Sequence, residues 1–163
     1  MSLTSTVQFK QGKDVEAWLD RYFGERGFKI EKLSMEEERV QHIGDRRFKK
    51  GKWSYLIEYK SGIQTYTTGN IFLETVSVDT TKTPGWVFTC KADWIVYACL
   101  LNHKLLWFKP DTLRIKITQM QQRYPTVFTG KGQNKNYKTH GVIVPLAIAE
   151  KELASHVTQL STN

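Results

Sequence analysis

A strand–turn–strand pattern between residues 46 and 62 constrains the fold more than any other part of the sequence. The basic run RRFKKGKW (46–53) contains the turn former Gly51, and the run SYLIEYKSG (54–62) then returns as a strand. If the turn is centred on Gly51-Lys52, the numbers of opposed residues add up to about 103, so Asp45 lies opposite Glu58. Lys60 follows Glu58 by two residues and therefore shares its strand face. A one-residue change of register would move Asp45 to the other face.

The remaining segments predict a domain of the α/β (α+β) class. An amphipathic helix is expected over residues 12–28 and a second helix over 109–125, because apolar residues recur there at spacings of three and four. The apolar segment 86–108 predicts two strands, or a short helix and a strand. Further strands are expected at 29–34, 38–48, 69–79 and 139–149, and a short terminal helix at 150–160. This order predicts one domain over residues 1–163, with a central mixed β-sheet of about four to five strands flanked by helices.

Composition limits the partners and the compartment. The net charge is +8 with a pI near 9.5, which favours a polyanionic partner such as DNA, with RNA also open. No apolar run is long enough to span a membrane, and the N-terminal segment lacks a secretory pattern. The two cysteines, Cys90 and Cys99, are expected to be free, buried thiols in a reducing cytoplasmic compartment. The four histidines form no zinc-ligand pattern.

The hairpin brings chemistry-bearing side chains together. Two carboxylates as close as Asp45 and Glu58 repel each other unless a cation neutralises them. Oxygen ligands of this kind suit Mg²⁺, for which Mn²⁺ is an expected substitute. An ammonium beside the metal, that of Lys60, is expected to have a lowered pKa and to orient a water or stabilise a phosphoryl transition state. The pattern is typical of metal-assisted phosphodiester hydrolysis. The alternative is an exposed ion pair on a solvated strand face.

Three short segments carry a resemblance to a known family. The order GD (44–45), IEYKSG (57–62) and TGNIFLE (68–74) resembles the core of the PD-(D/E)XK nuclease superfamily, and GWVFTCKADWIVY (85–97) is similar to a segment found later in small phage- and bacteria-type members. Gly44 stands where the family pattern often has proline.

The resemblance implies a restriction-endonuclease-like sheet and Mg²⁺-dependent cleavage of DNA. It implies that Asp45 and Glu58 are metal ligands and that Lys60 is the catalytic lysine. The carbonyl of Tyr59 is a further expected ligand and Glu74 an accessory one. A homodimer is an open alternative, known only by analogy.

Basic and polar residues are candidates for contacts with nucleic acid, and solubility is the alternative explanation of the charge. The candidates are Arg46, Arg47, Lys49, Lys50, Lys52, Asn70, Lys91, Lys131, Lys135 and Lys138. The lysines of the hairpin turn are expected to lie beside the site. Trp53 is a candidate for base stacking, and Glu16 or Asp20 for an additional acidic group near the metal.

Three hypotheses follow. The first is a Mg²⁺-dependent nuclease that hydrolyses DNA through an Asp…Glu-X-Lys site. The second is a non-catalytic nucleic-acid-binding domain with the same fold, and the third is an interaction domain whose charge serves solubility. The sequence leaves open whether a substrate would be a duplex, a single strand or a junction.

Overall fold

The computed structural model describes residues 12–130 and 136–161. In chain order, its strands are β1 (Lys29–Lys32), β2 (Arg46–Lys50), β3 (Trp53–Ser61), β4 (Asn70–Val78), β5 (Thr83–Pro84), β6 (Trp94–Cys99), β7 (Lys104–Phe108), β8 (Thr126–Gly130), β9 (Lys138–Pro145) and β10 (His156–Gln159). The α-helices are α1 (Gly12–Gly24), α2 (Thr65–Thr68), α3 (Trp86–Thr89), α4 (Pro110–Arg123) and α5 (Leu146–Ile148). Two π-helical turns (Glu36–Val40 and Ala149–Leu153) and a 3₁₀ turn (Leu100–Asn102) connect them.

The strands form two sheets. Six strands make a mixed sheet in the order β1-β2-β3-β6-β7-β10, in which only the β3–β6 pairing is parallel within the described ranges. Four strands make an antiparallel sheet in the order β5-β4-β9-β8. The α+β class predicted from the sequence is confirmed. The single central sheet of four to five strands is wrong: the ten strands of the described residues divide between two sheets. Three short edge strands (β5, β8 and β10) carry too little apolar alternation to be recognised from the sequence.

Helix α1 packs on one face of the larger sheet. Its apolar stripe, which includes Trp18, Leu19 and Phe23, is buried against the β3 residues Ile57 and Tyr59. The helix ends at Gly24, close to the predicted position. This packing leaves the opposite face of β3, the face of Glu58 and Lys60, turned toward the second sheet.

The predicted hairpin register is confirmed. Arg46 pairs with Ile57 and Lys50 with Trp53, so opposed residue numbers add up to 103. The backbone N–H of Asp45 donates to the Ile57 carbonyl at 2.8 Å, which continues the ladder by one residue. Asp45 therefore lies beside Glu58, as the turn-centred arithmetic predicts.

The strand predicted over 38–48, ending near Asp45, is wrong except for its last three residues, 46–48. Ser34 and Glu37 form a reciprocal capping pair: the Ser34 N–H donates to Glu37 Oε2 at 2.9 Å, and the Glu37 N–H donates to Ser34 Oγ at 3.2 Å. Such a pair favours a helical start, so residues 36–40 form a helical turn, and β2 begins only after Asp45.

The predicted terminal helix over 150–160 is also wrong. A π-helical turn ends at Leu153, and His156–Gln159 then pairs antiparallel with β7 as an edge strand. Pairing with β7 satisfies the strand's backbone groups, which outweighs the weak helical spacing. Cys90 and Cys99 are free and buried, as expected. No helix among the described residues is long and apolar enough to cross a membrane.

Candidate active site

A cleft of about 500 Å³ lies between the two sheets. The end of the loop before β2 contributes Asp45, β3 contributes Glu58 and Lys60, and β4 contributes Glu74. The structure thus brings together the four side chains that the sequence singled out for hydrolytic chemistry. Three are carboxylates and one is an ammonium.

Gly44 fixes the position of Asp45. Its φ of +123° belongs to the region that favours glycine, and a Cβ at this position would lie 2.7 Å from the Ile57 carbonyl oxygen. The close approach allows Asp45 to join the β3 ladder, and its Oδ2 accepts a hydrogen bond from the Tyr59 N–H at 2.6 Å. Glycine at position 44 therefore has a structural reason.

Glu58 and Lys60 form a close ion pair on β3. Lys60 Nζ lies 2.5 Å from Glu58 Oε1, and the two side chains are 26% and 13% exposed. Burial works against the charged form of Lys60, but Glu58, aided by Asp45 and Glu74, raises the pKa of Lys60 above its usual value. This differs from the lowered pKa expected beside a metal. Lys60 is a firmly protonated ammonium in the metal-free protein.

Glu74 is positioned by the start of α3. The backbone N–H of Trp86 donates to Glu74 Oε1 at 3.2 Å. The preceding Gly85 passes so close to the Glu74 backbone that any Cβ there would overlap it. Burial raises the pKa of Glu74, despite the Trp86 hydrogen bond and the nearby Lys60 charge. The Glu74 carboxylate is therefore held in place, and the Trp86 N–H and Lys60 offset only part of the cost of burying its charge.

Asp45 has the most perturbed carboxyl group of the cleft. Burial, and next the negative charge of Glu58, raise the pKa of Asp45 from 3.8 to about 7, although the Tyr59 N–H and Lys60 oppose the change. Three carboxylates thus share one ammonium at the bottom of the cleft. The cluster therefore has more carboxyl groups than cations to neutralise them.

The donor set fits a hard divalent cation by its chemistry. Carboxylate oxygens are the ligands that Mg²⁺ uses, and the raised pKa values show that the cluster would gain from an added positive charge. Within residues 12–130 and 136–161, no group of three or more His, Cys, Asp or Glu is already arranged as a metal site. The Tyr59 side chain points away, since its hydroxyl donates to Asp20 at 3.2 Å, so its backbone is the part that borders the cleft.

The structure corrects the expectation for Arg46. Its side chain is 6% exposed and pairs with Asp20 at 2.9 Å and with Glu16 at 3.0 Å, and it also donates to the Asp45 carbonyl. Arg46 is therefore unavailable to a phosphate. The same pairs neutralise Glu16 and Asp20, the two helix acids proposed as additional metal neighbours, although Glu16 still lines the cleft.

The hairpin turn is not beside the cleft. Glu58 lies five positions after Trp53 on β3, which corresponds to about 17 Å along the strand. Lys49 pairs there with Glu31 at 3.0 Å, and Lys50 donates to the Arg26 carbonyl at 2.9 Å. Lys52 lies at the same distant tip. The expectation that these three lysines lie beside the site is wrong.

The other predicted contacts are dispersed. Arg47 pairs with Glu37 at 3.5 Å, and exposed Lys91 follows Cys90 at the cleft wall. Lys138 lies over the ring of Phe128 on the smaller sheet. Asn70 borders a neighbouring pocket. Lys131 and Lys135 lie outside the described residues.

Two basic side chains at the cleft were missed from the sequence. Arg39 and His42, from the segment before β2, line the cleft. Arg39 is exposed. The capping motif at Ser34 and Glu37 was the available signal, because a helical turn there folds residues 39–42 back toward Asp45.

Comparisons with known proteins give no relative: no family model, no curated protein and no solved structure matches the chain.

Proposed function

We propose that the protein is a metal-dependent nuclease that hydrolyses phosphodiester bonds of DNA, of the PD-(D/E)XK type that the sequence resembles. The observation that carries the proposal is the assembly of Asp45, Glu58, Glu74 and Lys60 in one cleft. These residues come from three separate segments, and each is held by a specific backbone or side-chain contact.

The cation would be Mg²⁺, with Mn²⁺ as a substitute. Asp45 and Glu58 would hold it, with the Tyr59 carbonyl and Glu74 as further donors. When bound, the metal supplies positive charge to the phosphate and lowers the pKa of a water. The excess of carboxylate over ammonium in the cleft supports this, because a bound cation would stabilise the ionised form of Asp45, whose pKa is raised by burial and next by the charge of Glu58.

Lys60 has the role of an electrostatic stabiliser in this proposal. Its raised pKa keeps the ammonium charged, so it is a hydrogen-bond donor and not a base. A fixed ammonium in a half-buried cleft favours the extra negative charge that develops on phosphate oxygens in the transition state.

Nucleic acid as the substrate is supported by charge. The chain carries +8 overall, and Arg39 and His42 border the mouth of the carboxylate cleft. A cation at the rim of an acidic site, here the exposed Arg39 guanidinium, can contact a flanking phosphate while the carboxylates bind the metal.

Cleavage of plasmid and single-stranded DNA, with Mg²⁺ or with EDTA, tests the proposal. Lys60→Met and Glu58→Gln are expected to lower the cleavage rate by about a hundredfold or more. Lys104→Met is a matched control, because Lys104 forms a similarly half-buried pair with Glu150 at 2.6 Å and neither residue lines the cleft. Equal activity of all variants, or activity that resists EDTA, would contradict the proposal.

The second candidate is a nucleic-acid-binding domain without turnover. The engaged Glu58–Lys60 pair and the lack of a ready-made metal group among the described residues favour it. Calorimetry with Mn²⁺ separates the two: uptake that is lost in Asp45→Asn supports the nuclease, and salt-sensitive DNA binding without uptake supports the second candidate.

A further inference from the structure

A second pocket adjoins the active-site cleft and shares two of its residues. The pocket has a volume of about 590 Å³, and Lys60 and Trp86 line both spaces. It lies between the end of β3 and the face of the smaller sheet. A ligand bound in the cleft could therefore extend into the pocket without leaving the protein surface.

The face of the smaller sheet makes the two spaces continuous. Phe72 and Glu74 are two residues apart on β4 and so point to the same side. Phe72 pairs with Ile143 of β9, and Glu74 pairs with Gly141. Gly141 leaves room for the Phe72 ring, since a Cβ there would come within 2.5 Å of it. Glu74 thus borders the cleft and Phe72 the pocket on one surface.

The chemistry of the pocket differs from that of the cleft. Its half-buried apolar side chains are Phe72, Trp86, Val127 and Ile143, and the buried residues Ile71 and Tyr97 also line it. Hydroxyl and amide side chains complete the wall, and Lys60, at the shared border, is its one charged lining residue among the described part of the chain. The charged side chains of the cleft suit a cation and a phosphate, whereas the pocket suits an uncharged, flat group with hydrogen-bonding edges.

A nucleobase has these properties, and it is attached to the phosphate that the cleft would hold. Bases stack on aromatic side chains with little dependence on sequence. A duplex is far too wide for a pocket of this volume, and a paired base must leave its stack to enter such a space. We infer that the pocket receives one unpaired base next to the reacting phosphate, so that the preferred substrate is single-stranded or locally unpaired. This inference rests on the proposed function.

Binding of a thymidine tetranucleotide tests the inference, compared with a chain of the same length whose sugars carry no bases. Ca²⁺ replaces Mg²⁺ as the hard cation, and tryptophan fluorescence reports binding. The wild-type protein is expected to bind the thymidine chain at least about tenfold more tightly than the abasic chain, as base stacking typically gives.

Two neighbouring positions on β8 provide a matched pair of variants. Val127 lines the pocket, and Phe128 points to the opposite side, where its ring lies near His140. β8 is an edge strand. Val127→Trp is expected to remove the preference for the thymidine chain while abasic binding is unchanged, and Phe128→Trp to retain the preference. If Val127→Trp does not fold, Ile143→Ala replaces it, with an expected loss of about threefold or more for the thymidine chain alone.

Equal binding of both chains by the wild type, binding of neither, or a preference that survives Val127→Trp would overturn the inference. Cleavage of long DNA with Mg²⁺ is measured separately. Cleavage without a base preference refutes the pocket and leaves the nuclease proposal standing. A base preference without cleavage supports the pocket and refutes the nuclease.

Discussion

Replacing Asp45 by asparagine is expected to stabilise the metal-free protein above neutral pH. The amide keeps an oxygen that can accept the Tyr59 N–H, now 2.6 Å from Asp45 Oδ2, but it removes a charge that the cleft disfavours. Burial and the nearby Glu58 raise the pKa of Asp45 from 3.8 to about 7 in the folded chain. The folded protein therefore holds this proton more tightly than the unfolded chain does.

The direction of the pH dependence follows from this proton affinity. Between about pH 4 and about pH 7 the folded chain binds more protons at Asp45 than the unfolded chain, so the free energy of unfolding of the wild type falls as the pH rises. At about 1.4 kcal/mol for each tenfold difference in affinity, the loss over this range is at most about 4 kcal/mol. Asp45→Asn removes this component, because its side chain does not titrate.

Urea unfolding in EDTA at about pH 5 and about pH 8 measures the effect. At the higher pH the variant is expected to have a larger free energy of unfolding than the wild type. The difference between variant and wild type should be about 1–3 kcal/mol more favourable to the variant at the higher pH than at the lower pH. Asp93→Asn is the control, because the exposed Asp93 carboxylate also accepts a backbone N–H, that of Leu56 at 2.7 Å, but lies outside the cleft. A variant that is less stable than the wild type at the higher pH, or whose gain is the same at both, would refute the electrostatic description of the cleft. Mg²⁺ should then stabilise the wild type more than Asp45→Asn.

Three further predictions concern the frame of the site. Gly44→Ala is expected to lower the free energy of unfolding by about 1–3 kcal/mol and to reduce the affinity for Mn²⁺, because the φ of +123° at Gly44 and the nearby Ile57 carbonyl leave no room for a Cβ. Thermal melts measure the stability and calorimetry the Mn²⁺ affinity. A variant that matches the wild type in both would contradict the prediction. Arg46→Met should lower the free energy of unfolding in urea by about 2–3 kcal/mol, because it leaves Glu16 and Asp20 without their counter-charge. A variant of unchanged stability that binds DNA more weakly would instead show that Arg46 contacts phosphate. Arg39→Ala should reduce the slope of log affinity for a short DNA against log salt concentration by about one counterion, and Lys52→Ala, at the distant hairpin tip, should leave this slope unchanged. The reverse result would indicate that DNA binds along the hairpin and not at the cleft.

The part of the site that depends on local pairing could be predicted from the sequence. A tight turn at Gly51-Lys52 fixes the register over the whole hairpin, so the neighbourhood of Asp45 and Glu58 followed from counting residues. Lys60 followed from the two-residue period of a strand. These inferences needed no knowledge of the rest of the fold.

The part that depends on tertiary packing could not be predicted in this way. The basic side chains near Asp45 in the sequence include Arg46, which turns to the opposite face and into the acids of α1. Besides Lys60, the basic side chains at the cleft are those of Arg39 and His42, whose position depends on a helical turn. The second pocket needs the smaller sheet, whose pairing of β4 with β9 joins residues about seventy positions apart. Long-range pairing of this kind leaves no periodic signal.

The place of β3 in the larger sheet has a consequence for how the site responds to heat. β3 is hydrogen-bonded on both edges, antiparallel to β2 and parallel to β6. Amides of a strand with two partners exchange with solvent mainly when the whole domain opens, unlike those of edge strands such as β8 or β10. The backbone around Glu58 and Lys60 should be among the slowest to take up deuterium. Fraying of the edges would therefore leave Glu58 and Lys60 in place, and this part of the site would be lost only when the larger sheet itself unfolds.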